Sequence, residues 1–424
     1  MFANVIRIAA VAAMLLLAAG IARPRDSARH LRLRAIAHVD PGGSSADVVG
    51  HRGHAYLSSA RGRACRSPGV RVFDLRRPRR PRLVSTFASG RAEPRLAGST
   101  TEKTIVRDVS TPHFRGALAA TGVQRCRRRS GSFQGFALYD VSRPRRPRKL
   151  ALVPLRPRGA HELWLQPKGR KAYAYVAVLR SELGATGSAE RPGPPDLRIY
   201  DVTNPRRPVK AGGWGAWREL GIRPDEGGRI RYAHSVITNR AATRAYVSYW
   251  DLGTVILDIE DPRHPRYLGR TSGRDTHSAW LADGERVLLE THETANGRPT
   301  LYDVSDPARP RRLGRVPLPG RPSSKRTFTT GVHDPKARGR LAFFSWFRRG
   351  IVVADISSPA RPRLLAHFVP PAGKDATGGR LCKPKRSCPL VWGVYPERRY
   401  VLASDMNTGL WVLRLRAAAH RSAS

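Results

Sequence analysis

One pattern recurs six times along the 424-residue chain. Each copy has a β-branched or aromatic run that ends in aspartate, then a turn with two prolines, then a second short run, as in residues 301–314 (LYDVSDPARPRRLG). The first run predicts a strand, and the aspartate can accept a backbone N–H two residues on, which starts the turn. The prolines remove ladder donors, so the chain must fold back. The aspartates are Asp74, Asp140, Asp201, Asp258, Asp303 and Asp355.

The spacing of these aspartates, 45 to 66 residues, is typical of propeller blades or a solenoid. A hairpin upstream of each aspartate, such as residues 233–250, brings each unit to four antiparallel strands, which is the blade of a β-propeller. A seventh copy at 409–415 has no returning strand, whereas residues 31–39 look like a returning strand without a partner. Pairing the two closes a ring. We therefore predict an all-β chain with a single seven-bladed β-propeller over residues 31–416.

The repeats resemble the LVIVD repeat family of exported bacterial proteins, whose unit is a hydrophobic strand, then DVSDPxxP, then a returning strand. Residues 301–314 carry the best match, and the resemblance extends over 31–416. It implies the propeller fold and an exported protein. It implies little about activity, because propellers as a class support many unrelated functions.

The N-terminus has the features of a secretory signal peptide. Arg7 precedes an apolar run at 8–17, and small residues follow at 18–22. We expect cleavage after Gly20 or Ala22, the alternative being an uncleaved anchor. No cysteine stands at the junction for lipid attachment, and no later apolar run is long enough to span a bilayer. The sequence thus predicts a secreted or cell-envelope protein with flexible segments at 23–30 and 417–424.

Four cysteines in an exported chain predict disulfides. Cys382 and Cys388 enclose five residues and are expected to staple one loop, which leaves Cys65 to pair with Cys126. No two cysteines are separated by two residues, so a thiolate zinc site is disfavoured.

The formal net charge of +45 comes mostly from arginine. It allows two interpretations: a surface that binds polyanions, or arginine on solvated faces and turns. The arginines are spread through every repeat, and an exported protein rarely meets nucleic acid, so we do not expect a nucleic-acid partner. We expect a monomer that binds an unknown protein or small ligand at the channel mouth.

Alignment of the blades puts histidine at the start of several innermost strands, where the other blades hold Ala46, Arg107 and Trp392. Innermost strands line the central channel, and their starting ends open on one face, so these side chains should converge under the longest loops. The string LLETHETANG adds Glu290, His292 and Glu293, of which Glu290 and His292 are the expected additional or second-shell ligands. The histidines are His161, His234, His277 and His333.

Three interpretations of these histidines remain open. They can bind a transition metal such as Cu, Fe or Zn, since neutral imidazole suits these ions. They can instead be structural, each bonded to a neighbouring blade. They can also hold a small anion together with Arg107. The corresponding functions are a ligand- or protein-binding scaffold of the cell envelope or extracellular space, or a metal-dependent oxidoreductase. Convergence of the four imidazoles is the feature that separates them.

Overall fold

The computed structural model describes residues 31–60, 65, 67–126, 132–184, 190–324, 327–377, 381–382 and 387–417. The expected signal peptide and most of the expected flexible ends lie outside these residues. The described chain is almost entirely β: seven antiparallel sheets form seven blades of four strands, with the short strand Ser99–Thr100 as a fifth in blade 2, which confirms the predicted all-β, seven-bladed propeller.

Each blade runs from an inner strand at the channel to an outer strand at the rim, and blades are numbered here from the first inner strand. The strands are Ser45–His51, His54–Ser59, Val70–Asp74 and Arg82–Phe87 in blade 1; Thr104–Ser110, Arg115–Arg125, Gly135–Asp140 and Arg148–Pro154 in blade 2; Glu162–Lys168, Lys171–Ala177, Leu197–Asp201 and Val209–Trp214 in blade 3; Ser235–Thr238, Arg244–Ser248, Thr254–Asp258 and Arg266–Arg270 in blade 4; Thr276–Ala282, Val287–His292, Thr300–Asp303 and Arg311–Arg315 in blade 5; Asp334–Arg338, Leu341–Ser345, Ile351–Asp355 and Arg363–Phe368 in blade 6; and Val391–Pro396, Val401–Asp405, Gly409–Ala417 and Leu31–Val39 in blade 7.

The N-terminal strand closes the ring as predicted. Leu31–Val39 pairs antiparallel with Gly409–Ala417, with Leu33 opposite Leu415 and Val39 opposite Leu410. Leu33 and Leu413 are both buried in the core of this blade. The closure leaves the third strand of blade 7 paired on both sides, which removes an exposed sheet edge.

The repeated aspartate starts the turn after the third strand by the predicted contact. In Asp201, for example, Oδ1 accepts the backbone N–H of Thr203 at 2.8 Å. The same bond, from the N–H two residues on, forms at all six aspartates, at 2.8 to 3.0 Å. The proline turn then sends the chain back as the outer strand.

Small residues in the outer strands set the distance between neighbouring blades. A Cβ added to Gly269 in blade 4 would lie 2.3 Å from the carbonyl oxygen of Pro307 in the next blade's turn. A Cβ added to Gly212 in blade 3 would lie equally close to the carbonyl oxygen of Pro262 in the turn of blade 4. In both outer strands the glycine comes directly after a register shift in the pairing with the third strand. Close approach of backbone to backbone therefore selects small side chains here. The equivalent residues of blades 1 to 6 are Ser85, Ala151, Gly212, Gly269, Gly314 and Ala366.

Both predicted disulfides are present. The Cα atoms of Cys65 and Cys126 lie 5.7 Å apart, and those of Cys382 and Cys388 lie 5.5 Å apart. The few remaining elements lie in the connections. They are the helix Ala216–Leu220, the 3-10 turns Pro94–Leu96, Glu226–Gly228 and Phe328–Thr330, and the short strands Ser99–Thr100, Gly373–Lys374 and Ser387–Cys388. No helix in the described ranges is long and apolar enough to cross a membrane.

Candidate metal centre

The four histidines come together at one mouth of the channel. Ring centroids lie 4.4 Å apart between His161 and His234, 3.9 Å apart between His234 and His277, and 4.4 Å apart between His277 and His333. The indole of Trp392 continues the series, 4.0 Å from His333. We call His161, His234, His277 and His333 the imidazole cluster. Its members stand at or just before the start of four successive inner strands, so the ring of blades turns them toward one centre.

Blade 2 contributes Glu102 to this level of the channel. Glu102 Oε2 lies 3.7 Å from His161 Nδ1. Arg107, which the sequence alignment placed here, is five residues further along the same segment and toward the other end of the channel. The alignment failed because blade 2 has no histidine to mark the position. Because Arg107 lies further along the strand, the structure does not bring it to the imidazole cluster.

Backbone acceptors fix two of the imidazoles in one tautomer. His234 Nδ1 lies 2.9 Å from the carbonyl oxygen of His277, and His277 Nδ1 lies 2.8 Å from the carbonyl oxygen of His333. A carbonyl only accepts, so both Nδ1 atoms carry the proton and donate it. The Nε2 atom of each neutral ring then has no proton and can act as an acceptor or a ligand. This is the arrangement by which metal-binding histidines are oriented in proteins.

Inside the channel, the Nε2 atom of His234 lies next to His161, and the Nε2 atom of His277 lies next to Glu293. His234 Nε2 lies 2.7 Å from His161 Nε2, and His277 Nε2 lies 3.2 Å from Glu293 Oε2. The nitrogens of His234 and His277 and a carboxylate oxygen of Glu293 all lie within 4.8 Å of one another. Ligands of a tetrahedral zinc ion stand about 3.3 Å apart, so shifts of roughly 1 Å bring these three atoms to metal distance.

Gln124 sets the tautomer of His161. Its Nε2 lies 2.7 Å from His161 Nδ1. With the amide donating to Nδ1, His161 carries its proton on Nε2 and donates it to the lone pair of His234. Gln124, His161, His234 and the carbonyl of His277 thus form one directional hydrogen-bond chain.

Burial keeps the imidazoles uncharged. It lowers the pKa of His161 to about 4, and it lowers the pKa values of His234 and His277 well below the usual range, with the neighbouring imidazoles adding to the effect. Burial also raises the pKa of Glu293 to about 8, helped by the nearby carboxyl of Glu102. At neutral pH the rings are therefore in the form that binds metal, whereas Glu293 carries a proton that an incoming ion must displace.

Glu290 and His292 lie on the other side of their strand. Glu290 Oε2 accepts hydrogen bonds from Thr254 and Thr271, at 2.7 and 2.5 Å between side-chain oxygens. His292 Nδ1 lies 2.7 Å from the carbonyl oxygen of Arg274. Within the part of the chain that the structure describes, neither side chain contacts the imidazole cluster.

Alternation along the strand explains which acidic residue reaches the cluster. Successive side chains of a strand point to opposite faces, so residues 290 and 292 share one face while 291 and 293 share the other. Thr291 Oγ1 donates to the carbonyl oxygen of His333, on the cluster side. Glu293, two residues on, is therefore the carboxylate beside His277. Strict alternation within LLETHETANG was the signal that could have identified it.

A layer of buried charges closes the channel below the cluster. Lys103 Nζ lies 3.1 Å from Asp47 Oδ2 and 3.4 Å from Glu162 Oε2, and Lys336 pairs with Asp334. The space left among these side chains is about 20 Å³, enough for about one water molecule. The imidazole mouth and the opposite mouth are therefore separate sites.

Seven blades around a closed channel, with one mouth lined by imidazoles, define the chain as a seven-bladed β-propeller. The chain carries an LVIVD repeat: the family model of that repeat matches residues 245–272, which span the second to outer strands of blade 4 and confirm the resemblance.

Other comparisons inform on the fold alone. A crystal structure of the computationally designed protein Ika8 aligns with a TM-score of 0.51 over 90% of this chain and 99% of that chain, at 8% sequence identity. A search of curated proteins finds no significant match.

Proposed function

We propose that this protein is an exported β-propeller that binds a transition-metal ion at the mouth of its channel. The ligands are the Nε2 atoms of His234 and His277 with the carboxylate of Glu293, and His161 stands next to them as a further ligand. The observation that carries the proposal is the pair of Nδ1 bonds to the carbonyls of His277 and His333, since these leave both Nε2 atoms without a proton of their own and able to accept one or to bind an ion.

The donor set indicates the class of metal. Neutral imidazoles with one carboxylate suit Zn, Cu and Fe, whereas Mg and Ca prefer sites made of oxygen. Burial of the cluster excludes competing water from the ligands: His277 is 1% exposed and His234 is 4% exposed. The function is thus that of a metal-binding protein, in the binding-protein class that the repeats favour.

A metal-dependent oxidoreductase is the second candidate. The observation that favours it is the imidazole-rich donor set, because such sites hold Cu and Fe in forms that cycle between oxidation states. Metal analysis separates the two: bound zinc supports the binding protein, and bound copper or iron that is reduced and reoxidised reversibly supports the enzyme.

Elemental mass spectrometry of the untagged full-length protein tests the metal site. We expect close to one transition-metal ion per wild-type chain and a loss of most of it in the His234→Ala/His277→Ala double variant. The control is His113→Ala/His264→Ala, which removes two exposed imidazoles and should keep full metal content. A wild-type protein that binds none of zinc, copper and iron, or a double variant that keeps its metal, contradicts the proposal.

Export rests on the N-terminal pattern and on the two disulfides, which are usual outside the cytoplasm. N-terminal sequencing of protein recovered from the cell envelope or medium should begin after Gly20 or Ala22. Recovery of the intact N-terminus from the cytoplasm alone contradicts it.

A further inference from the structure

The mouth opposite the imidazole cluster opens into a cavity of about 970 Å³. It lies among the ends of the inner strands of blades 3 to 6 and the turns that follow them, and its lining includes Trp164, Ile237, Trp280 and Leu281. The volume is at the upper end of the range for small-molecule sites, and the walls combine apolar with polar and charged side chains.

Arg107 enters this cavity as a half-buried cation without an acidic partner. Its guanidinium carbon lies 4.6 Å from the ring centroid of Trp164. Among the residues that the structure describes, no carboxylate forms an ion pair with it. Burial lowers the pKa of Arg107, although an arginine stays charged even so. A buried charge without a counter-ion is costly, so an anion that enters here gains a partner that the protein does not supply.

Three of the neighbouring charged residues already have partners. Arg340, on the cavity wall, pairs with Asp355 at 3.1 Å, and Asp283 pairs with Arg286 at 2.9 Å. Lys336, stacked 4.7 Å from the Trp280 ring, pairs with Asp334. Arg240, also on the wall, is exposed to solvent, so Arg107 is the half-buried cation that an anion in the cavity would meet.

The cation–π contact with Trp164 leaves the guanidinium N–H donors of Arg107 available for an anion. A guanidinium that lies over an indole uses its face, whereas its N–H donors lie in the plane and can bind both oxygens of a carboxylate. The Trp164 ring is held for this contact, since its Nε1 donates to Thr238 Oγ1 at 3.0 Å. The half-buried Trp280 ring, 5.6 Å from Trp164 between centroids, adds an aromatic wall.

We propose that this cavity binds a small organic anion with a planar apolar body, such as an aromatic carboxylate. Arg107 holds the carboxylate, and Trp280, Ile237 and Leu281 contact the apolar body. The site is independent of the metal centre, because the buried charge layer separates the two mouths.

Calorimetric titration with 2-naphthoate, and with its uncharged analogue 2-naphthamide, tests the site. We expect wild type to bind the carboxylate at least about tenfold more tightly than the amide, the difference made by one charged hydrogen-bonded pair. Arg107→Gln should weaken 2-naphthoate by about the same factor and leave 2-naphthamide unchanged. Arg340→Gln, on the same wall but already paired, should change neither by more than about twofold.

Three results overturn the proposal: no binding of 2-naphthoate at millimolar concentration, equal affinity for acid and amide, or full affinity in Arg107→Gln. Circular dichroism melts check that the variant folds. If Arg107→Gln is unfolded, Arg107→Lys keeps the charge without the planar fork, and it must still lose part of the affinity for 2-naphthoate. The metal-site variant His234→Ala/His277→Ala should bind 2-naphthoate like wild type, so failure here is distinguishable from failure of the metal proposal.

Discussion

The Nε2 atoms of His161 and His234 lie 2.7 Å apart, although 73 residues separate the two histidines in the chain. His234 has no proton on this nitrogen, because its Nδ1 donates to the carbonyl of His277. The contact is thus stable only with a proton or a cation between the two nitrogens. In the metal-free protein, Gln124 keeps that proton on His161.

Gln124→Glu should therefore tighten metal binding. A carboxylate at this position accepts from His161 Nδ1, which moves the ring proton to Nδ1 and frees a third Nε2 lone pair for the ion. We expect zinc affinity to rise about tenfold, within the range that changes in ligand-orienting groups produce. Competition with a zinc chelator measures the affinity. The control is Gln134→Glu, because native Gln134 bonds Arg125 and Pro157 and not a histidine. An unchanged affinity would mean that His161 takes no part in binding.

Glu293→Gln should weaken metal binding, whereas Glu290→Gln should lower stability. Glu293 Oε2 lies 3.2 Å from His277 Nε2. Replacing this carboxylate with an amide should therefore lower the metal affinity about tenfold to hundredfold, with little loss of stability. Glu290 instead accepts from Thr254 and Thr271, so its amide should lower the free energy of unfolding by about 1–3 kcal/mol and leave metal content unchanged. Metal analysis and denaturant titration of both variants check this. Equal loss of metal in the two would contradict the assignment of Glu293.

Gly269→Ala should loosen the packing of blade 4 on blade 5. The new Cβ would stand 2.3 Å from the carbonyl oxygen of Pro307 and 2.9 Å from that of Ala308, which forces the blades apart. We expect a loss of about 1–3 kcal/mol, the usual cost of overpacking. Thermal melts measure it, with the exposed Arg312→Ala as control. A melting temperature equal to wild type would show that the contact does not set the spacing.

The turn aspartates should make the propeller sensitive to acid. The backbone N–H of Glu260 and the guanidinium of Arg266 hold the pKa of Asp258 below its ordinary 3.8. The folded state therefore binds fewer protons, so this stability is present above pH about 4 and is lost as pH falls through the lower, folded pKa.

Asp258→Asn should cost about 1 kcal/mol at pH 7 and progressively less toward pH 2. Urea titrations across this range check it, and the exposed Asp283→Asn should show a smaller cost at pH 7. A penalty for Asp258→Asn that stays constant down to pH 2 would exclude the charge as its cause.

Much of the architecture was predictable because the repeat encodes it locally. Strand, aspartate and proline turn act within about 15 residues, and Asp201 makes the bond to Thr203 that its position predicts. Closure by Leu31–Val39 followed from counting strands, since an unpaired edge on each side is unfavourable. Both disulfides followed from the cysteine count. The four histidines were also identifiable, because equivalent positions in a closed ring face one centre.

Only the tertiary structure decided which other side chains join the four histidines of the imidazole cluster. Glu102 and not Arg107 stands beside His161, and Glu293 and not Glu290 stands beside His277. The physical reason is register: along a strand a shift of one residue moves a side chain to the opposite face, and the sequence of a blade without histidine does not mark where its inner strand starts. The tautomers of the imidazole cluster depend on the carbonyls of the next blade, and the cavity around Arg107 depends on turns from four blades. Such relations exist only after the blades have packed.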